Sequence, residues 1–526
     1  MSGIFGTMNV AASGMRAMQE SVNTAANNIA NSETEGYARK RVNLVTNVPQ
    51  YFTGVGEIST GVRLDSVTRI RDAFIDRQVR LETGRYESRA AETEVYGKLV
   101  TIFREPSDTG INKSLSEMWN AWQELSKTPE SVTARTVVLE QATTLADRLN
   151  HAAAQLDNGK FEILSQLTQN SFELNSRIQQ IKVVDKQIME AVNRDFIPND
   201  LMDRRDLLID QLSKLVPLTV KDHKDGGISL TLDGAELVRK PADQVFSVIQ
   251  SISEMVDENG VSTGLTQITL NSVTDSTSRV MITRPSAELV PLSEWKVGSF
   301  IMTSAGAELA TAAMTTVEIS AGQIKGQQNS LVEIEHFGKR LDSMASGIAL
   351  LVNTVHSNGE PDGIAFFTSN GADSAITAGS IQVNGILKAD VNKILAGKTP
   401  ESAVGDGSRA LAIARLRETR FDVAGGAIGI YQADTMRFST HEGDTVDSFY
   451  KASIAQLGIS SKHSQNMMEN GEMLLNQLQQ RKESIMGVSV DEEISSLIKF
   501  QNGYQANARV MSTLVTMLDT LIGMAR

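Results

Sequence analysis

The sequence predicts a mostly α-helical chain with an inserted β domain: paired N- and C-terminal heptad helices, a helical bundle as the middle domain, and an outer β domain. Three observations carry that reading. Both ends of the chain place apolar residues at alternating steps of four and three, a long stretch before Pro198 keeps a helical period, and near residue 228 the period falls to two.

At the start, Ile4, Met8, Ala11, Met15, Met18, Val22, Ala25 and Ile29 form a heptad seam. At the end, Val490, Ile494, Leu497, Gln501, Tyr504, Ala508, Met511, Val515, Leu518 and Ile522 do the same, and only Gln501 interrupts the apolar character. Gly487 and the capping box from Ser489 to Glu492 mark where the last helix begins. A single stripe of this kind also describes the core-facing side of an ordinary globular helix. Here the first 32 residues hold only two ionisable side chains, Arg16 and Glu20, and five asparagines, Asn9, Asn23, Asn27, Asn28 and Asn31. With few ion pairs and several poor helix formers, such a helix needs packing on more than one side.

The middle is helical on the same grounds. Thr128 as N-cap and Pro129 at the first helical position open a helix through Leu145, Leu149, Leu156, Ile163, Leu167, Leu174, Ile178, Ile181 and Ile188, with Gly159 as a point of interruption and Pro198 as its end. Roughly 60 residues would make a rod of about 90 Å. Asn199 or Asp200 can cap the next helix, in which Leu201, Leu208, Leu212 and Leu215 share a face. Helix is expected again over 327–356, 408–418 and 445–486.

Between these stretches, Ile228 to Leu232 alternates apolar and polar residues and Asp233-Gly234 supplies a tight turn, which reads as a β-hairpin. Shorter alternations at 267–270 and 280–283 extend a small β domain, and the Gly-, Asn-, Asp- and Ser-rich stretch 358–407 reads as loops with short strands. The expected organisation is therefore a terminal coiled-coil domain of 1–35 with 488–526, a helical bundle of 36–215 with 322–357 and 408–487, and a β-rich outer domain of 216–321 with 358–407. At 526 residues the chain is too long for one core.

Composition excludes several function classes. Fifty Lys and Arg against 63 Asp and Glu leave a formal net charge of −13, which argues against nucleic acid or an anionic membrane as partner. Without cysteine there is no disulfide, thiolate metal site or cysteine nucleophile. No basic residue precedes Arg16 and no continuous apolar core follows, so the start does not read as a Sec signal peptide, and no stretch approaches the roughly 18 apolar residues of a membrane span.

The segment ANNIANSETEGYAR at 26–39, with Asn28, Ile29, Ala30, Asn31, Thr34, Gly36 and Tyr37, resembles the N-terminal signature of the flagellar axial family, which comprises rod, hook and first hook-associated proteins. Three further features resemble the hook-associated branch. They are NDLMDRRDLL at 199–208, with Asp200, Leu201, Asp203, Arg205 and Asp206, the glycine-rich stretch 358–367 after a long helix, and VSVDEE at 488–493 before the terminal heptads. The resemblance implies a structural subunit of the bacterial flagellum, exported unfolded without a cleavable signal, that assembles helically at the distal end of the hook and joins hook to filament. Its implied partners are further copies of itself, the hook protein, the second junction protein (hook-associated protein 3), and an export chaperone that binds the C-terminal helix. Only about 40 residues separate Phe367 from the helix at 408, too few for the outermost β insertion of larger relatives. A hook or rod subunit shares the first motif but not the second, and a cytoplasmic coiled-coil scaffold would keep its terminal helices ordered in isolation.

No chemistry stands against that reading. There is no phosphate-binding glycine loop, dinucleotide fingerprint, zinc-protease motif or nucleophile elbow, and the six histidines, at 151, 223, 336, 356, 441 and 463, are scattered. His441, Glu442, Asp444 and Asp447 read as polar residues around a helix start rather than a cation site. The stretch 358–363 lacks the closing carboxylate of a calcium loop, and Asp491, Glu492 and Glu493 read as complements to a helix dipole. No enzyme, cofactor or metal is expected.

Overall fold

The fold is that of a computed structural model, which describes residues 3–524 apart from 53–55, 106, 108–109, 240–243, 258–260, 273–277, 290–294, 306–312, 361–362, 371–374, 400–401, 424–425, 427 and 440. The chain opens with α1 (Ile4–Ala30) and a ribbon of β1 (Lys40–Thr46), β2 (Gln50–Phe52), β3 (Gly56–Ile58) and β4 (Val62–Arg69). Helices α2 (Ala73–Phe103), α3 (Ile111–Lys127), α4 (Val132–Val192) and α5 (Asn199–Leu215) follow. The β region holds β5 (Thr219–Asp222), β6 (Ile228–Leu232), β7 (Ala235–Glu236), β8 (Gln244–Val256), β9 (Ser262–Asn271), β10 (Arg279–Pro285), β11 (Phe300–Ser304) and β12 (Thr315–Val317). After α6 (Gln323–His356) comes a lobe with β13 (Phe367–Ser369), β14 (Ile381–Val383), α7 (Gly385–Ala389), α8 (Ser408–Arg415), β15 (Tyr431–Gln432) and β16 (Arg437–Phe438). The chain ends in α9 (Val446–Met486) and α10 (Val490–Met524).

The helical period sets the core. Every apolar position expected on α4, from Leu145 to Ile188, is buried, and so are Leu331, Ile334, Leu341, Ile348 and Val352 of α6. These faces meet those of α2, α3, α5 and α8 in one continuous cluster that includes Trp119 and Trp122. Gly159 does not break α4. The position a Cβ would take there lies 3.4 Å from Ile334 Cδ1, so the residue marks close approach of α6 rather than a helix end. The start of α4 also differs from expectation. Ser131 is the cap, its hydroxyl accepting the Ala134 N–H at 3.2 Å, while Thr128 closes α3 and Pro129 lies in the turn between.

The hairpin β6–β7 turns through Asp233 and Gly234, both at positive φ (47° and 80°), as an Asp-Gly pair permits. Strands β10-β9-β8-β11-β12 form an antiparallel sheet with a small core of its own around Ile249, Ile268, Leu270 and Trp295. In two places the architecture departs from the expected one. Residues 40–69, assigned to the helical bundle, form the β1/β4 ribbon, because Val42, Leu44 and Val45 are interleaved with polar residues that favour a half-buried strand. Residues 358–407, grouped with the outer β domain, instead bury Phe366, Phe367, Ile381, Val383, Leu387 and Ile394 in the helical core. Within the expected turn at 358–363, Asn358 and Gly359 are left-handed (φ 57° and 75°), and 361–362 lie outside the described residues.

Arg205 ties three of these elements together. Its guanidinium donates to Asp185 on α4 at 2.7 Å and to the Gly226 carbonyl at 2.8 Å, and Asp185 accepts the Ile228 N–H at 3.1 Å, with Arg205, Asp185 and Ile228 all buried. Removing one partner leaves a buried charge uncompensated. Asp185→Ala is expected to cost about 3–5 kcal/mol in denaturant unfolding, and the double change Asp185→Leu, Arg205→Met to recover much of that loss. A single variant as stable as the parent would refute the account.

Candidate assembly interface

Helix α1 lies antiparallel against α10, and the contact line runs along small residues. Ala11, Gly14, Ala17, Ser21, Thr24, Ala25 and Asn28 are the buried positions of α1. A Cβ on Gly14 would stand 2.7 Å from Asn507 Oδ1, and one on Gly503 would stand 2.9 Å from Met18 Sδ, so at both glycines a side chain of the facing helix packs where a Cβ would lie. The expected seam lies beside this line. Of its N-terminal members only Ala11 and Ala25 are buried, and Ile4, Met8, Met15, Met18, Val22 and Ile29 are half-buried. In α10, Leu497, Tyr504, Ala508, Met511 and Leu518 are half-buried, while Ile494, Val515 and Ile522 remain 45%, 41% and 55% exposed. The one buried residue of α10 is Glu493. The ribbon covers another side of α1, its Val62 N–H donating to the Ser13 hydroxyl at 3.2 Å. Together, α1 and α10 leave Phe5, Val10, Ile494, Ile498, Val510, Val515, Leu521 and Ile522 exposed among polar residues.

The residues of the two sequence motifs converge where this helix pair meets the body. Asn28 is buried, and its Nδ2 donates to the Lys40 carbonyl at 2.9 Å and to Glu493 Oε2 at 3.1 Å. Its Oδ1 accepts the Tyr37 hydroxyl at 2.9 Å and the Lys40 N–H at 3.0 Å. Arg39 then grips the start of α10, Nε to Glu493 at 2.7 Å and Nη1 to Glu492 at 2.9 Å. Two of the three acidic residues read as dipole complements, Glu492 and Glu493, are thus ligands of the N-terminal elbow. Of the expected capping box only half forms, the Glu492 N–H reaching Ser489 Oγ at 3.5 Å while its carboxylate turns to Arg39.

The elbow itself is shaped by Thr34, whose carbonyl accepts the Tyr37 N–H, by Asn31, which bonds Thr34 and the Asn27 carbonyl, and by Gly36. Gly36 has φ 81°, and its missing Cβ would lie 3.0 Å from Leu207, so the turn sits directly on α5. Ile29 is half-buried, its carbonyl accepting the Ser32 hydroxyl at 3.0 Å, and Ala30 is exposed.

Helix α5 supplies the other half of the joint. Arg69 of β4 donates to Asp203 and Asp206, both at 2.8 Å, and Arg71 bridges Asp206 at 2.9 Å and Asp76 at 2.8 Å. Lys482 near the end of α9 reaches Asp76 at 3.2 Å and Asp210 at 3.1 Å. Asn199 does not cap α5; its Nδ2 donates to the Val67 carbonyl at 2.7 Å, and Asp200 pairs with Lys40. Leu201 is half-buried against the core, and Arg205 faces away, toward α4. Burial opposes ionisation of Asp206, but Arg71, Arg69 and Arg80 together hold its carboxyl below the usual range. Burial, with Asp203, Asp200 and Glu493 nearby, pushes the Tyr37 phenol up to about 12, so it stays a hydrogen-bond donor to Asn28.

No group of three or more His, Asp or Glu among the described residues could hold a metal ion. Of the polar cluster at 441–447, Asp447 pairs with Arg417 at 3.0 Å, and Thr445 caps α9. Residues 96–367, just over half of the chain, match the family model described as the flagellar hook-associated protein FlgK helical domain.

The chain belongs to the flagellar hook-associated proteins. Residues 8–37 match the flagella basal body rod protein model and 479–524 the C-terminal model of the flagellar basal body rod FlgEFG proteins, segments that include Asn28 and Tyr37 on one side and Glu492 and Glu493 on the other. Flagellar hook-associated protein 1 of Bacillus subtilis is 29% identical, covering 99% of this chain and 98% of that protein. That of Salmonella typhimurium is 23% identical, covering 98% and 99%. In fold, the hook-associated chain is similar to the flagellar hook junction protein FlgK from Burkholderia pseudomallei, with a TM-score of 0.56 and 14% identity over 78% of this chain and 100% of that one. Proteins of this family are structural components of the flagellum.

Replacing Asn28 with Ala removes the partner of the Tyr37 hydroxyl, of the Lys40 N–H and of Glu493 Oε2, at a cost of about 1–3 kcal/mol local to the joint. Trypsin is expected to cut the variant at Arg39 and Lys40 several-fold faster than the parent, while the main thermal transition moves by no more than a few degrees. Unchanged cleavage would show that the amide does not hold the elbow.

Proposed function

We propose that this chain is a non-catalytic subunit that assembles with copies of itself at the distal end of the hook and joins hook to filament. The observation that carries the reading is the α1–α10 pair, whose apolar seam keeps Ile494, Val515 and Ile522 uncovered although the rest of the chain has a filled core. In a closed ring or helical tube the same face is buried against neighbours in every copy. Segments 1–35 and 488–526 are the inner layer in this arrangement, and the seam residues from Ile4 to Ile29 and from Ile494 to Ile522 are its contacts. The hook protein, hook-associated protein 3 and an export chaperone on the C-terminal helix are the proposed partners. Export without a cleavable signal belongs to the same reading, and no helix among the described residues is long and apolar enough to cross a membrane. A hook or rod subunit is disfavoured by the match of 96–367 to a helical domain of hook-associated proteins.

Two measurements test the proposal. In the purified monomer, amides of α1 before Asn28 and of α10 after Leu497 are expected to exchange faster than those of α4 and α6, since few of their side chains are buried. Equal protection throughout would indicate a pair that is complete without neighbours. Full burial in an assembly would stabilise each exposed seam side chain by about 1.5–3 kcal/mol. The double variant Val515→Asp, Ile522→Asp is therefore expected to melt like the parent but leave hooks without filaments and cells immotile. Normal swimming would mean that this face is not the interface.

A further inference from the structure

The end of α6 carries a buried group that neither the joint nor the seam uses. His356 is fully enclosed, packed beside Phe366 and Trp122 with ring centroids 5.6 and 6.5 Å away. Three separate stretches of chain meet on it. Its Nδ1 donates to the Ile364 carbonyl at 2.7 Å, its Nε2 accepts the Leu395 N–H at 3.2 Å, and its own carbonyl accepts Arg409 Nη1 from α8. The same arginine donates to the Gly397 carbonyl at 3.0 Å and to the Lys398 carbonyl. Both ring nitrogens are committed, one as donor and one as acceptor, which fixes the neutral tautomer.

We infer that His356 is an acid-released clasp: neutral, it holds the 394–398 arm of the lobe against α6 and α8, and protonation at Nε2 frees that arm. A proton there sets N–H against the Leu395 N–H and places a cation beside a buried guanidinium. The charged and titratable groups facing the ring are Arg409 itself and, around Arg409, Asp406 and Tyr431. Asp406 holds the same arm, accepting the Lys398 N–H and the Ser408 N–H at 2.9 Å; these bonds keep its carboxyl far below the usual range, so it stays ionised while His356 titrates, and Tyr431 bonds Asn358 at 3.1 Å. The other end of the lobe is held without a titrating group. Asn353 Oδ1 accepts the N–H groups of Phe366 and Phe367, so release is confined to the second arm. Burial first, opposed by the Ile364 hydrogen bond and aided by Arg409, depresses the imidazole from 6.5 to about 4. A depressed histidine contributes stability that is intact above its unfolded value and is lost as pH falls through the folded one.

Because Trp122 lies beside the ring, its emission reports the event. Between pH 6.5 and 4 the full-length protein is expected to lose tryptophan fluorescence while its far-ultraviolet ellipticity stays constant, and pepsin is expected to cut within 394–398 about tenfold faster at the acid end of that range than an intact clasp allows. His356→Gln, which keeps an uncharged acceptor, should abolish the fluorescence step. A step of the same midpoint in that variant would assign it to a carboxylate such as Asp342, which accepts the Ala378 N–H, and would overturn the inference. So would loss of ellipticity together with fluorescence. If the variant does not fold, protein carrying ¹³C-labelled histidine decides. The His356 resonance should titrate near 4, in step with the fluorescence, and a His356 titration near the ordinary 6.5 would refute the clasp.

Discussion

One buried amide group determines how the ends of this chain relate to its body. Asn28 cannot be buried on α1 unless its donors and acceptor are matched, because each unmatched polar group would cost about 1–3 kcal/mol. Its partners come from Tyr37, Lys40 and Glu493, so satisfying it fixes the elbow, the start of the ribbon and the start of α10 together. Arg39 reinforces this by taking the second oxygen of Glu493. The direction in which the terminal pair leaves the bundle therefore follows from hydrogen-bond matching more than from the shape of an apolar core.

Charge has a different part a few residues away. Asp203, Asp206 and Asp210 stand on one side of α5, and Arg69, Arg71, Arg80 and Lys482 reach them from the ribbon, α2 and α9. A buried carboxylate is expensive alone, but here several cations share several anions, and most remaining donors have partners. Such a cluster specifies which helices meet without adding much net stability, since apolar replacements of the same shape would also pack. The stability itself comes from α4 and α6, whose apolar stripes run their full length through the core.

Much of this was legible in the sequence, for physical reasons that differ by element. The stripes of α4 and α6 are long and strictly periodic, and the Asp233-Gly234 turn is local chemistry, so both could be read directly. The motif residues were picked out by resemblance, yet nothing in their spacing shows that Asn28 meets Glu493, because 465 positions separate them. The contact line of the terminal pair was missed for another reason. The eye follows Met15, Met18 and Val22, whereas the tightest approach belongs to Gly14, Ala17 and Ser21, small residues that carry little hydropathy signal but recur at steps of three and four. The lobe at 358–407 looks like loop by composition, and only its tertiary burial reveals it as part of the helical core.

The separation of Asn28 from Glu493 also orders the events of folding. Contacts so distant in sequence repay their loop-closure entropy only after the intervening chain is compact, whereas α4, α5 and the hairpin are joined through neighbours. The bundle can form first, bringing Arg39 and the end of α9 within reach of each other, and the backbone bond from the Arg39 N–H to the Met486 carbonyl at 3.3 Å marks that meeting point. Only then does closing the joint align α1 with α10. On this order the body packs before the terminal pair is aligned, and Ile494, Val515 and Ile522 are left on a face that the core of the chain does not cover.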